Sequence, residues 1–310
     1  VGELRVISAG AGTGKTHRLA HELVEALVDD RAGRQPIPPE AVVAVTYTRS
    51  AAAELEGRVR TALIERGFPE LARRLAGARI GTVHSVCARL VEEHAFALGL
   101  APDLRTLDDG AARSVFEDAL SASITDVERM QLDELEQRVN LGDDASTFYS
   151  HVRAICDRAR ANDLSDDDLA RSCSDSIASL VANLPPPTPG AEIERQLLAA
   201  IDETLPNFVG KRWSPALTDE VDKAQRAAAM LRRGAALRWS EWQTIEGFSS
   251  FKNAAKIAAR HIEHDALTRD LTTLITLAFG IARRAMQRYD DDKRAAGVID
   301  FGDQERLALR

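Results

Sequence analysis

Ser8-Ala9-Gly10-Ala11-Gly12-Thr13-Gly14-Lys15-Thr16 decides the fold of this 310-residue chain. The segment before it, Leu4-Arg5-Val6-Ile7-Ser8, reads as a short buried strand, and residues Lys15 to about Asp30 carry helix-period apolar positions. A glycine-rich turn between strand and helix that ends in Lys-Thr is the setting of a phosphate-binding P-loop. Gly10, Gly12 and Gly14 permit backbone angles and a close approach that side chains would block. The N–H groups of such a turn, backed by the helix N-terminus, bind phosphate oxygens. Lys15 then meets the β- and γ-phosphates, and Thr16 offers its hydroxyl to Mg2+. The strict pattern has Gly where Ala9 stands. That departure leaves the cradle intact and narrows the set of proteins it fits. The competing reading is a glycine-rich turn with an accidental Lys-Thr.

Outward from the loop, strand and helix alternate. Gly33 to Pro39 holds three prolines and reads as a loop. Ala41-Val42-Val43-Ala44-Val45-Thr46 is an apolar run of the kind found in buried parallel strands. Ser50 is placed to cap a helix over Ala51 to Arg66, with Glu54 near its first turn. Arg79-Ile80-Gly81-Thr82-Val83 is a third, weaker strand, followed by a helix from Ser85 to Leu98. This alternation predicts a parallel α/β sheet with right-handed crossovers. After Leu107 strand signals nearly vanish. Ala111–Ile124, Phe148–Ala161, Asp166–Leu180, Ile193–Leu205, Asp219–Arg233 and Asp265–Asp290 carry helix periodicity, and Ser165 before three aspartates marks a helix start. Pro185 to Gly190 breaks the chain as a loop or hinge. Trp213, Trp239 and Trp242 are expected to pack a helical core. Val298-Ile299 reads as a return to the sheet. The expected fold is therefore an α/β P-loop unit with an incomplete parallel sheet and a large all-helical insertion.

Apolar residues make up 45% and charged residues 28%, and the formal net charge is −8, a soluble globular balance. Residues 1–105 are nearly neutral at +1, whereas residues 106–310 carry −9. That distribution excludes a bulk-basic nucleic-acid-coating protein but leaves room for a local groove. No apolar run reaches the ~18–20 residues of a membrane span. The motif begins too early to leave room for a signal peptide. Cys87, Cys156 and Cys173 are widely spaced, so neither a disulfide framework nor a zinc ribbon is expected, and a reducing cytoplasm is. None of the six lysines stands in an Asn-Lys-x-Asp guanine reader, which argues against a GTPase.

Two further segments lie where a predicted strand gives way to a helix, Val45-Thr46-Tyr47-Thr48-Arg49-Ser50-Ala51-Ala52-Ala53-Glu54-Leu55 and Gly81-Thr82-Val83-His84-Ser85-Val86-Cys87. That edge of a parallel sheet is where ligands bind. Thr46, Thr48, Thr82 and Ser85 can hydrogen-bond phosphates, and Tyr47 can stack on an unpaired base. Each has a plainer reading beside it: Tyr47 as a core aromatic, His84 as a capping histidine.

Together the segments resemble superfamily 1 helicases of the UvrD/RecB/AddA kind. Ala9 to Thr16 is similar to their motif I, where Ala in the first position is common. Thr46 to Leu55 is similar to motif Ia, written T-F-T-[NR]-x-A-A-x-E-[ML]. Thr82 to Cys87 is similar to T-x-H-[SG]-F-C, and Ile299-Asp300-Phe301-Gly302-Asp303 to the D-F-x-D-L segment. Cys87, Ala95-Phe96 and the large helical insert favour the RecB/AddA exonuclease-associated branch. The resemblance implies a RecA-like lobe (domain 1A) over residues 1–105, a helical insertion (1B) over 106–290 and a return to 1A over 291–310. It implies ATP and Mg2+ as cofactors, held by Ala9, Gly10, Ala11, Gly12, Thr13, Gly14, Lys15 and Thr16, with Thr16 on the metal. It implies single-stranded DNA contacts from Thr46, Tyr47, Thr48, Arg49, Thr82, His84 and Ser85, and 3′-to-5′ movement in double-strand break repair. A second helicase–nuclease subunit is the implied partner, with no membrane.

Departures are few: Tyr47 and Val86 replace Phe, and His17 replaces Arg. The adenine-reading glutamine upstream of motif I is not visible. No strand ends in Asp-Glu-x-Gln-Asp, and the residues of a second lobe are missing, so little or no ATP turnover is expected from these residues alone. The runner-up reading is a truncated, non-catalytic P-loop module that binds nucleotide or a partner. A small-molecule kinase comes third.

Overall fold

In the computed structural model, residues 6, 14–28, 36–101, 104–139, 146–208 and 213–309 are described. The strand expected at Leu4–Ser8 and the loop residues Ala9 to Thr13 lie outside this set, apart from Val6. The elements are α1 (Lys15–Val28), β1 (Val43–Thr46), α2 (Arg49–Glu65), α3 (Pro69–Arg74), β2 (Arg79–Thr82), α4 (Val83–Glu93) and β3 (Arg105–Thr106). There follow α5 (Asp109–Ala122), α6 (Asp126–Val139), α7 (Ser146–Ala161), α8 (Asp166–Asn183), α9 (Gly190–Thr204), α10 (Pro215–Arg232), α11 (Trp239–Glu246), α12 (Lys252–Ala258) and α13 (Asp265–Ala296). The last elements are β4 (Val298–Ile299) and α14 (Phe301–Ala308). The described chain is helix-rich with small parallel sheets. It divides into two compact units, one drawn from residues 1–112 with 294–310, the other from 113–293.

In the first unit β1 and β2 pair in parallel, Val43 opposite Arg79 through Thr46 opposite Thr82. The expected strand at Ala41–Thr46 is shorter, because Pro39 to Ala41 forms one 3-10 turn. Val24 and Leu27 of α1 pack with Ala44 of β1 and with Leu55, Val59 and Leu63, which recur every four residues along one face of α2. A second parallel pair, Arg105–Thr106 with Val298–Ile299, brings the far end of the chain back beside residues near its first third. The return expected at Val298-Ile299 is present.

Two helix starts differ from expectation. α2 begins at Arg49, capped by Thr48, whose hydroxyl accepts the Ala51 N–H at 3.1 Å; Ser50 lies inside the helix. α4 begins at Val83, so that residue leaves the strand, and Thr82 accepts the Ser85 N–H at 3.3 Å. In both places a threonine at the strand's end satisfies an orphan helix donor one or two residues earlier than the apolar pattern indicates. α4 stops at Glu93, five residues short of the expected Leu98. Glu93 is bound there by Arg79 Nε at 3.1 Å and Arg89 Nε at 3.0 Å. The Arg79 guanidinium holds its carboxyl below the usual carboxylate range. This tie between α4 and β2 is intact at neutral pH and is lost as the pH falls through that lowered value.

The helical unit has two cores. Ile193, Leu197 and Ile201 of α9 pack with Ala224 and Ala228 of α10, with Trp239, Trp242 and Ile245 of α11, and with Phe251. Phe116 and Leu120 of α5, Leu132 and Leu135 of α6, and Val152 and Cys156 of α7 surround Ile281, Ala285 and Tyr289 of α13. α13 serves both cores, its first turn supplying Ala266 and Leu267 to the other one. Burial pushes the Cys156 thiol up to about 12. Two of the tryptophans are core residues as expected, but Trp213 is 37% exposed and lies edge-on to Phe208. Ser165 caps α8 through a reciprocal box with Asp168, as the three-aspartate start indicates. None of the described helices is long and apolar enough to cross a membrane.

The proline-rich break between α8 and α9 is pinned. Thr188 N–H donates to the Glu263 carbonyl at 2.7 Å, and Asp265 N–H donates to the Thr188 carbonyl at 3.1 Å. Gly190 then opens α9 against the ring of buried His264, where a Cβ would overlap the imidazole. His264 Nδ1 accepts the Ala266 N–H at 3.1 Å, and burial lowers its pKa, so the ring stays neutral and fixed. Gly190→Ala is expected to cost about 1–3 kcal/mol through overpacking. Urea titration checks this; an unchanged midpoint would show that the ring moves aside freely.

Candidate functional site

Sequence places two chemistries in the first unit, and the structure gives each a local basis. At the start of α1, Gly14 has φ of +80°, a left-handed angle that a side chain would strain. Its carbonyl accepts the Arg18 N–H at 2.9 Å, so the helix begins directly after it. Lys15 and Thr16 occupy the first two helical positions. Lys15 is exposed and Thr16 half-buried. Helix-initial N–H groups, a cation and a hydroxyl therefore converge on one end of α1, an arrangement that fits a metal-bound polyphosphate. Of the phosphate-loop residues, Ala9, Gly10, Ala11, Gly12 and Thr13 lie outside the described set.

The second chemistry sits at the carboxyl edge of the β1–β2 pair. Because Thr46 is in register with Thr82, the chain leaves both strands side by side. Thr46, Tyr47, Thr48 and Arg49 emerge from one strand, Thr82, His84 and Ser85 from the other. Tyr47 is fully exposed, at 102% of its reference area, and so is not a core aromatic. Arg49 is exposed beside it. Thr46 donates its hydroxyl to the Thr48 carbonyl at 2.9 Å, which closes the turn that presents Tyr47.

On the neighbouring strand, Thr82 Oγ1 donates to Ser85 Oγ at 3.1 Å, and Ser85 Oγ donates to the Thr82 carbonyl at 2.9 Å. These two hydroxyl protons are used within the turn. Gly81 makes the tight turn possible, since a Cβ there would overlap Ser85 Oγ. His84 is not the cap. It stands at the second position of α4, its ring 4.8 Å from that of Phe301.

The Asp-Phe-x-Asp segment also acquires a local explanation. Asp300 accepts the Asp303 N–H at 2.8 Å and donates its own N–H to the Asp303 carboxylate at 3.0 Å, a reciprocal cap on α14. Phe301, between them, is directed at α4. Gln304 Nε2 donates to Thr106 Oγ1 at 2.7 Å, tying α14 to β3. Sequence reading missed Gly81, Gln304 and Glu305 as parts of this neighbourhood. The glycine at a strand-to-helix junction was a usable signal; the other two depend on contacts far along the chain.

An exposed aromatic among hydroxyl-bearing loops at a parallel sheet edge, with a phosphate-loop helix start in the same unit, defines a nucleoside-triphosphate-linked nucleic-acid protein. Comparison with known families agrees: the UvrD/REP helicase N-terminal domain matches residues 2–309. The chain belongs to that family. It is 35% identical over 128 residues, 36% of its length, to the AddA-type ATP-dependent helicase/nuclease subunit of Pelotomaculum thermopropionicum, covering 10% of that protein. It is 24% identical over 98% of its length to the protein of the same name from Desulforamulus reducens, covering 28% of it. It is 34% identical over 103 residues, 33% of its length, to DNA helicase II of Haemophilus influenzae, covering 13% of that protein. The chain thus spans between a tenth and just over a quarter of the length of these relatives.

Proposed function

We propose that this chain is the N-terminal motor portion of an ATP-dependent DNA helicase that moves 3′ to 5′ on single strands, working in a RecBCD- or AddAB-like helicase–nuclease for double-strand break repair. Two of the relatives are named as one subunit of a helicase/nuclease, which supports a second subunit for this chain too. Residues 1–105 and 291–310 would form the RecA-like P-loop lobe, and residues 106–290 the helical insertion that guides DNA. One observation carries the reading: fully exposed Tyr47 stands between threonine turns at the edge where β1 and β2 end in register. A soluble domain gains nothing from leaving an aromatic ring bare there unless a planar partner covers it.

In this reading Tyr47 stacks on a base, while Thr48, Arg49 and His84 hold the phosphates on either side without reading sequence. Thr82 and Ser85 shape the turn, and their contact to the strand is through the turn's backbone. Gly14, Lys15 and Thr16 hold ATP and Mg2+, with residues 9–13 completing the cradle. Bound ATP supplies the free energy of phosphoanhydride cleavage; Lys15 neutralises phosphate charge and Thr16 orients the metal. The groups that would position the attacking water, expected on an Asp-Glu-x-Gln-Asp strand and a second lobe, are not found in these 310 residues. Turnover by these residues alone is therefore expected to be negligible.

Fluorescence anisotropy with a labelled dT20 strand tests the proposal. Binding is expected at low salt and should weaken steeply as salt rises. Tyr47→Ala should weaken it about five- to hundredfold, the worth of one base–aromatic stack at about 1–3 kcal/mol. No binding at low salt would overturn the motor reading and leave a non-catalytic nucleotide-binding module.

A further inference from the structure

We propose that Glu305 is a charge gate on the DNA-binding edge, holding the imidazole of His84 until a strand phosphate displaces it. The inference rests on the reading of His84 as a DNA contact. His84 Nε2 lies 3.3 Å from Glu305 Oε1, so the ring's N–H is directed at the carboxylate. The same ring rests on Phe301 at 4.8 Å, tilted by 49°. Phe301 and Glu305 are four positions apart and share one face of α14. One helix face thus supplies both a platform for the ring and an anion for its nitrogen.

The carboxylate is presented by a fixed element rather than a loose loop. α14 is capped by the Asp300–Asp303 pair and tied to β3 through Gln304. Arg306, the adjacent cation, is engaged with Asp303 at 2.7 Å. Glu305 keeps its charge toward α4, where it also adds to the burial that pushes the Cys87 thiol up.

The pair is nonetheless reachable from solvent, with side-chain exposures of 50% for His84 and 48% for Glu305. An ion pair that open has little net strength, so a better acceptor can take its place. A DNA phosphate is such an acceptor, and one imidazole N–H cannot serve both anions. The phosphate must also approach a fixed carboxylate of like sign. Glu305 therefore opposes strand binding at this loop and hastens release. A device of that kind suits a protein that must let go of each nucleotide as it advances.

The test uses anisotropy with labelled dT20 at low salt on the wild type, Glu305→Gln, His84→Ala and the double variant. Glutamine keeps an acceptor of the same reach and removes the charge. Glu305→Gln is expected to bind about three- to tenfold more tightly, chiefly through slower release. In the His84→Ala background the same change should alter affinity less than twofold. Unchanged or weaker binding by Glu305→Gln would overturn the gate, as would an equal gain without His84, which would mark a general charge effect. Thermal melts exclude a folding artefact: a merely structural Glu305 would lower the melting temperature and never tighten binding. Failure of the wild type to bind dT20 would instead remove the DNA reading, and the gate with it.

Discussion

Lys15→Ala is expected to abolish Mg·ATP binding while leaving the fold intact. The ammonium sits at the first helical position of α1, where nucleotide phosphates meet the helix dipole, and alanine supplies no charge to them. Loss of a charge-assisted contact to a polyphosphate is worth at least about a hundredfold in affinity. The helix itself does not need the residue. Alanine is the strongest helix former, and α1 is fastened to the core by Val24 and Leu27 instead. Titration with a fluorescent ATP analogue, alongside far-ultraviolet circular dichroism, separates the two effects. Equal nucleotide affinity in wild type and variant would remove Lys15 from the site.

Trp242→Ala should have the largest effect on stability. The side chain is 1% exposed, in the core that joins α9, α10, α11 and Phe251, and its ring lies edge-on to His264 at 5.7 Å. Truncating a fully buried tryptophan leaves a cavity that the surrounding helices cannot close, at a cost of about 3–5 kcal/mol. Denaturant unfolding followed by circular dichroism measures it. Because Gly14, Lys15 and Thr16 belong to the other unit, nucleotide affinity well below the transition should not change. A shift below about 1 kcal/mol would mean that this core is not packed as described.

Much of the first unit was legible in sequence, and the reason is physical. The apolar run around Val43 to Thr46 can be little else than a strand, and the glycine-rich turn before Lys15 requires a helix start. The helix boundaries were less legible, because caps compete locally. Thr48 and Ser50 are both good N-caps, and only backbone geometry chooses between them. β3 could not be read, since Arg105–Thr106 is two exposed polar residues whose pairing is decided by Val298–Ile299. α6 was missed because its sequence is mostly charged and only Leu132 and Leu135 are buried. The same limit applies to the site. Residues that touch DNA in related motifs announce themselves by spacing. Glu305 gains its meaning only from an α4–α14 contact that no local pattern encodes.

The pairing of β3 with β4 has a consequence for biosynthesis. Thr106 and its partner Gln304 are 198 positions apart, so the β3 edge leaves the ribosome long before the residues that cover it. At about 5–20 residues per second that interval is roughly ten to forty seconds. During it the helices between them, whose contacts are largely local, have ample time to fold. The nascent motor unit meanwhile exposes an unpaired strand edge, the kind of surface that templates aggregation. Slow or interrupted translation within the helical segment should therefore harm the yield of the first unit more than that of the segment being translated.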